Sequence, residues 1–249
     1  MSAKTTATRP IGTVGIVWTV AVSIIVLVGV LVPAVVVGLW VAVAHLEVSP
    51  WHSLRGWTWT GLSLYSEGVY GLAAAIGLRL AIHRWWTGGR WQWRGWGWGF
   101  AGGLILGVLV SGASILWQNQ TGHAMPSDGT FIIQPVLHNP AALIGMMVVI
   151  VGIAPIMEEW LFRGALQPSL ASVIPTPLAI GIVSLLFAGM HELDAVHPLA
   201  HPWLWVPLLP LALILGITRA RTRTMSTNIG LHMGFNGWAV FLLIMQILR

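Results

Sequence analysis

Two carboxylates, Glu158 and Glu159, stand side by side in a run that is otherwise almost wholly apolar from Ala141 to Leu170, and Arg163 follows the second by four residues. A charge placed in lipid costs about 2.5 to 3.5 kcal/mol by insertion scales, so ionisable side chains in such a run mark a functional site by default. Two further polar groups lie in apolar runs of the C-terminal half. One is His191, at the end of Phe187-Ala188-Gly189-Met190-His191; the other is the stripe Asn228, His232 and Asn236, each four residues apart. A carboxylate, an imidazole, and an amide beside a second imidazole together supply a base, an orienting partner and donors for an oxyanion.

Helical spacing separates the two glutamates. Glu159 and Arg163 are i, i+4 and can pair on one stripe, whereas Glu158 is turned by about 100° onto a neighbouring face. Glu158 is then the freer carboxylate and suits general-base work, while a paired Glu159 holds the helix and its neighbours in place. Each patch also has a purely structural reading: a buried ion pair fixing helix register, a satisfied histidine near a helix end, and an amide stripe bonding helix to helix. The second, unpaired carboxylate weighs against that reading for the first patch.

The elements that must position these groups are membrane helices. Of 249 residues, 56% are hydrophobic and only 8% charged, with a mean hydropathy of +0.81, too little polar surface to cover a water-soluble globule. The expected fold is all-α, a multi-pass transmembrane bundle of about seven to eight helices enclosing a polar intramembrane cavity. Passes are expected near 13 to 44, 60 to 82, 97 to 117, 141 to 166, 177 to 195, 203 to 218 and 226 to 248. The first is too long for one straight span, and Pro33 either kinks it or marks a hairpin of two. Arginines at 79, 84, 90 and 94 flank one loop and those at 219, 221 and 223 another; placing both inside also places Lys4 and Arg9 inside. With these bounds Glu158 lies near the inner face, but His191, about 13 residues into its helix, sits roughly 20 Å deep at 1.5 Å per residue. The two meet only if a kink at Pro155, or a connection at Pro175 to Pro177 set below the membrane surface, closes that gap.

The formal net charge of +5 comes from short basic clusters at the ends of apolar runs, a pattern that suits lipid headgroups and cytoplasmic loops rather than nucleic acid. Sixteen tryptophans cluster where passes begin, as in Arg55-Gly56-Trp57-Thr58-Trp59 and Arg94-Gly95-Trp96-Gly97-Trp98; interfacial anchoring is favoured over a cation–π substrate site. The absence of cysteine removes disulfides, thiolate metal sites and thiol nucleophiles together. The basic start before a long apolar run reads as an uncleaved signal anchor. The whole chain, 1–249, reads as a single membrane domain, with N-terminal helices over 11–117.

Taken together, the three polar segments resemble the CPBP family, which comprises the CAAX prenyl proteases and the bacteriocin-processing and immunity proteins and is also called the ABI family. The EExxxR motif stands as Glu158-Glu159-Trp160-Leu161-Phe162-Arg163, FxxxH as Phe187 through His191, and HxxxN as His232-Met233-Gly234-Phe235-Asn236. Each motif alone is weak, but all three in order, each on a membrane run, make a strong signal. The resemblance covers roughly residues 140 to 245. It implies a glutamate-dependent intramembrane endopeptidase in which Glu158 and His191 activate a water, Asn236 and His232 steady the oxyanion, and Glu159 and Arg163 support the first motif. No cofactor is expected. Zinc on Glu158, His191 and His232 is the disfavoured variant.

Rival protease chemistries fail on the letters. His191-Glu192 is followed by Ala195 where HExxH needs its second histidine, Gly112-Ala113-Ser114 runs into Ile115 rather than completing GxSG, and no GxGD exists. A different class stays open: a non-proteolytic membrane scaffold or bacteriocin self-immunity protein using the same polar network. The expected partners are membrane lipid and a peptide or protein substrate, lipidated or membrane-bound. The expected location is a bacterial plasma membrane, with the active site facing the cytosol.

Overall fold

A computed structural model describes residues 91–122, 139–193 and 205–247, together with 136–137 and scattered positions between 60 and 75. Among the described residues the chain is helical, without strands, in five long elements: α1 (Trp93–Thr121), α2 (Pro140–Ala171), α3 (Thr176–Leu193), α4 (Trp205–Thr222) and α5 (Met225–Ile247). Three of these, α1, α2 and α5, are long and apolar enough to cross a membrane, and α3 contributes a shorter apolar stretch. The described residues are thus those of an all-helical membrane protein. The expected pass near 13 to 44 and the tryptophans ahead of residue 91 lie outside the described residues, and the pass near 60 to 82 is described only in part. Trp93 and Trp98 stand 74% and 76% exposed at the start of α1, turned away from its packed face.

The ends of α1 and α2 follow local chemistry. Asn139 caps α2 by accepting a hydrogen bond from the Ala142 amide at 3.1 Å, and Pro140 takes the first helical position, where no N–H is needed. Gly122 closes α1 at φ +72, a left-handed cap that glycine adopts without strain.

α2 contains Pro155 and Pro168, each lacking the N–H that an α-helix spends on the residue four before. The helix absorbs both by widening into π-helix just ahead of them, at Val149–Ile153 and Trp160–Leu166. The amides of Ala154 and Gln167 accordingly reach back five residues, to the carbonyls of Val149 and Phe162. α2 thus continues to Ala171 rather than ending near 166, with Gln167 and Ser169 buried in its last turn.

This extension removes the expected mismatch in depth. Measured from the turn at 172–175, Glu158 is 13 residues back along α2 (171 − 158) and His191 is 15 residues forward along α3 (191 − 176). At 1.5 Å per residue that is roughly 20 and 22 Å, so an antiparallel hairpin sets them level.

Two sets of contacts fix the remaining helices. Between α1 and α5 the backbones touch: a Cβ added at Gly99 or Gly103 would collide with the carbonyls of Thr227 or Leu231, and one at Gly230 or Gly234 with those of Trp96 or Phe100. Glycine at these positions permits the close approach by which membrane helices gain packing energy where lipid offers no hydrophobic drive. Trp238 Nε1 donates to Ser111 Oγ at 3.0 Å farther along the same seam. Between α2 and α4, Arg163 Nη2 donates to the Ala212 carbonyl at 3.1 Å and Gln167 Nε2 to the Gly216 carbonyl at 3.0 Å. The matched four-residue steps show the two helices running parallel.

Candidate active site

Glu159 and Arg163 meet as the i, i+4 spacing predicts, with Arg163 Nη1 donating to Glu159 Oε1 at 2.9 Å and both side chains fully buried. Removing two charges from water costs several kcal/mol per ion, repaid only when the remaining polar atoms find partners. Glu159 finds them on α5. His232 Nδ1 lies 3.2 Å from Oε1 and Asn228 Nδ2 donates to Oε2 at 3.1 Å. Arg163 finds the Ala212 carbonyl, and its guanidinium also lies 4.4 Å from the centroid of the Phe187 ring.

Glu158 faces the other way into the same cluster. Its Oε2 lies 3.7 Å from His232 Nε2 and 3.9 Å from His191 Nε2, and this buried oxygen has no hydrogen-bond partner. Both separations exceed a direct hydrogen bond of about 2.7 to 3.2 Å and match the spacing at which one water bridges polar groups. Thus α2, α3 and α5 each contribute one member of a three-residue group, drawn from positions as far apart as 158 and 232.

The imidazoles are oriented by acceptors behind them. His191 Nδ1 lies 2.9 Å from the Phe187 carbonyl and His232 Nδ1 reaches the Glu159 carboxylate. Neither acceptor carries a hydrogen, so each ring bears its proton on Nδ1 and points Nε2 at Glu158. Phe187, fully buried, is the shared wall. Its ring centroid lies 4.7 Å from that of His191, 5.6 Å from that of His232 and 5.2 Å from that of Phe162. The aromatic position of FxxxH therefore orders both rings, a role that spacing alone does not disclose.

Asn236 stands apart from this group. Its Nδ2 donates at 2.9 Å to the Ile150 carbonyl, inside the first π segment of α2. An amide nitrogen has a second hydrogen to give, and Asn236 lies one helical turn beyond His232 on α5. Among the expected residues, then, Glu158, Glu159, Arg163, His191 and His232 share one contiguous cluster, with Asn236 tied to α2 beside it. Sequence reasoning gave no role in the site to Phe187, to Gln167 or to Arg219, whose Nε donates to the Arg163 carbonyl at 3.2 Å. Asn228 was visible as the first member of the amide stripe, and its partner was not.

The three side chains differ in exposure. The side chain of His191 is 24% exposed, against 8% for Glu158 and 2% for His232. Among the described residues no set of three His, Asp or Glu side chains is arranged to hold a metal ion. A zinc ion needs donors at about 2.0 to 2.2 Å in tetrahedral order.

No curated protein and no solved structure matches the chain. Residues 140–238, which carry every side chain of this cluster, match the family model described as Type II CAAX prenyl endopeptidase Rce1-like, in keeping with the resemblance to the CPBP family.

Proposed function

We propose that the chain is an intramembrane endopeptidase that hydrolyses a peptide bond near the membrane interface with a water activated by Glu158 and His191. The supporting observation is the partnerless Oε2 of Glu158, buried and set between the Nε2 atoms of two histidines at 3.7 and 3.9 Å. A water held there gives one hydrogen to the Glu158 carboxylate and the other to the lone pair of His191 Nε2. Its oxygen then adds to the scissile carbonyl carbon as a proton passes to Glu158, and the same proton later leaves with the amine. The developing oxyanion is met by the second N–H of Asn236 and by His232 Nε2, a donor while it carries the proton that Glu158 took from the water, before that proton returns through Glu158 to the amine. Glu159 and Arg163 remain behind the reacting groups and hold His232.

The substrate is a peptide or protein in the membrane, and a prenylated C-terminal segment is the form that the family suggests. The arginines at 219, 221 and 223, at the end of α4 and just beyond, support a cytosolic orientation of that end by the positive-inside rule. The test is cleavage of prenylated and apolar-flanked peptides by the protein purified in detergent, beside Glu158→Gln and a chelator control. Loss of cleavage in the variant by at least about 100-fold, with none from the chelator, is expected. Abolition by the chelator would instead support a metal site, and equal inactivity of both proteins a scaffold or immunity role.

A further inference from the structure

Asn228 lies one turn before His232 on α5 and is wholly buried. Its Nδ2 spends both hydrogens on acceptors from different helices, Glu159 Oε2 on α2 at 3.1 Å and the Leu215 carbonyl on α4 at 2.8 Å. Neither acceptor can donate, so the amide cannot be turned over without setting two buried oxygens against its own Oδ1. Asn228 thereby pins the second oxygen of a carboxylate whose first oxygen holds His232 and Arg163. Without that pin the carboxylate can swing about its terminal torsion, which is soft in glutamate, and its grip on His232 loosens.

From this arrangement we infer that Asn228 is a positioning residue: it clamps Glu159 so that His232 keeps its hydrogen on Nδ1 and presents Nε2 to Glu158. Asn228 lies outside the three motifs and touches neither Glu158 nor His191 in any hydrogen bond. Its consequence for rate rests on the hydrolytic reading above; its consequence for His232 does not. An orienting carboxylate behind a histidine matters to catalysis chiefly by fixing the tautomer, and a residue that supports a ligand or an orienter commonly alters rate by about tenfold or more.

The experiment compares the full-length protein with Asn228→Leu, close in volume but without donors, and Asn228→Ser, which retains one. Each is labelled with 15N-histidine in detergent, and the His232 resonances are assigned by their loss in His232→Gln. Thermal melting reports folding. The expected result is an Nδ1–H signature for His232 in the parent, a mixture of tautomers in Asn228→Leu and an intermediate pattern in Asn228→Ser. Peptide cleavage should show kcat reduced by about tenfold with KM unchanged. If Asn228→Leu fails to fold, Asn228→Ser alone decides by the same criteria. An unchanged His232 spectrum in a folded variant overturns the inference, even if melting falls, because that is what a merely structural amide would give. If the parent itself cleaves nothing, the hydrolytic reading fails while the spectra still judge Asn228.

Discussion

The Arg163 guanidinium lies 4.4 Å from the centroid of the Phe187 ring, so the aromatic residue of the second motif covers the cation of the first. The same cation bonds Glu159 and the Ala212 carbonyl, tying α2 to itself, to α3 and to α4. Removing it leaves Glu159 as an uncompensated buried charge. Arg163→Met should therefore lower stability by about 3 to 5 kcal/mol, read by denaturant unfolding in detergent. Arg163→Lys, which keeps charge but loses the planar fork, should fall between. A stable Arg163→Met protein would contradict a load shared among these helices.

Phe187 packs against Phe162, His191 and His232 at once. Phe187→Ala should cost about 3 to 5 kcal/mol through the cavity it leaves. Phe187→Leu should cost less in stability, yet it removes the flat wall against which both imidazoles rest. Cleavage should consequently drop more than melting does in Phe187→Leu, measured side by side.

The α1–α5 seam makes a paired prediction from neighbouring glycines. Gly103→Ala drives a methyl into the Leu231 carbonyl, whereas at Gly102 a Cβ meets nothing within 4 Å. Gly102→Ala should be neutral or stabilising by up to about 1 kcal/mol from helix propensity. Gly103→Ala should separate the helices and displace α5 with Asn228, His232 and Asn236. Thermal melting of the two variants checks this, with equal melting as the contrary result.

Asn236 donates to the Ile150 carbonyl of a π segment. Asn236→Leu orphans that partly buried carbonyl, at a cost of about 1 to 3 kcal/mol. If the second N–H also meets the oxyanion, kcat should fall about 100- to 1,000-fold with KM little changed. A variant that melts lower but cleaves at the parental rate would leave Asn236 a structural tie only.

What could be read in the letters was set by contrast. Glu158, Glu159, Arg163, His191 and the α5 stripe stand out because polar residues in apolar runs are costly, and the structure draws six of these seven into one cluster. Helix ends were less legible. Pro168 and the polar Gln167 and Ser169 look like a stop near 166, but π widening accommodates the proline and neighbouring helices bury the polar pair. The bond from Asn228 to Glu159 joins positions 69 apart, and no spacing rule reaches that far. The four-residue ladder of glycines from Gly95 to Gly107 was in plain sight, obscured by the tryptophans among which it begins.

The account turns on what lies between Glu158 and the two histidines, and an experimental density map fine enough to show ordered solvent tests it most directly. A single water within hydrogen-bond reach of Glu158 Oε2 and His191 Nε2 is the predicted result. A metal ion in that position, or a Glu158 side chain turned toward the acyl chains, would contradict it.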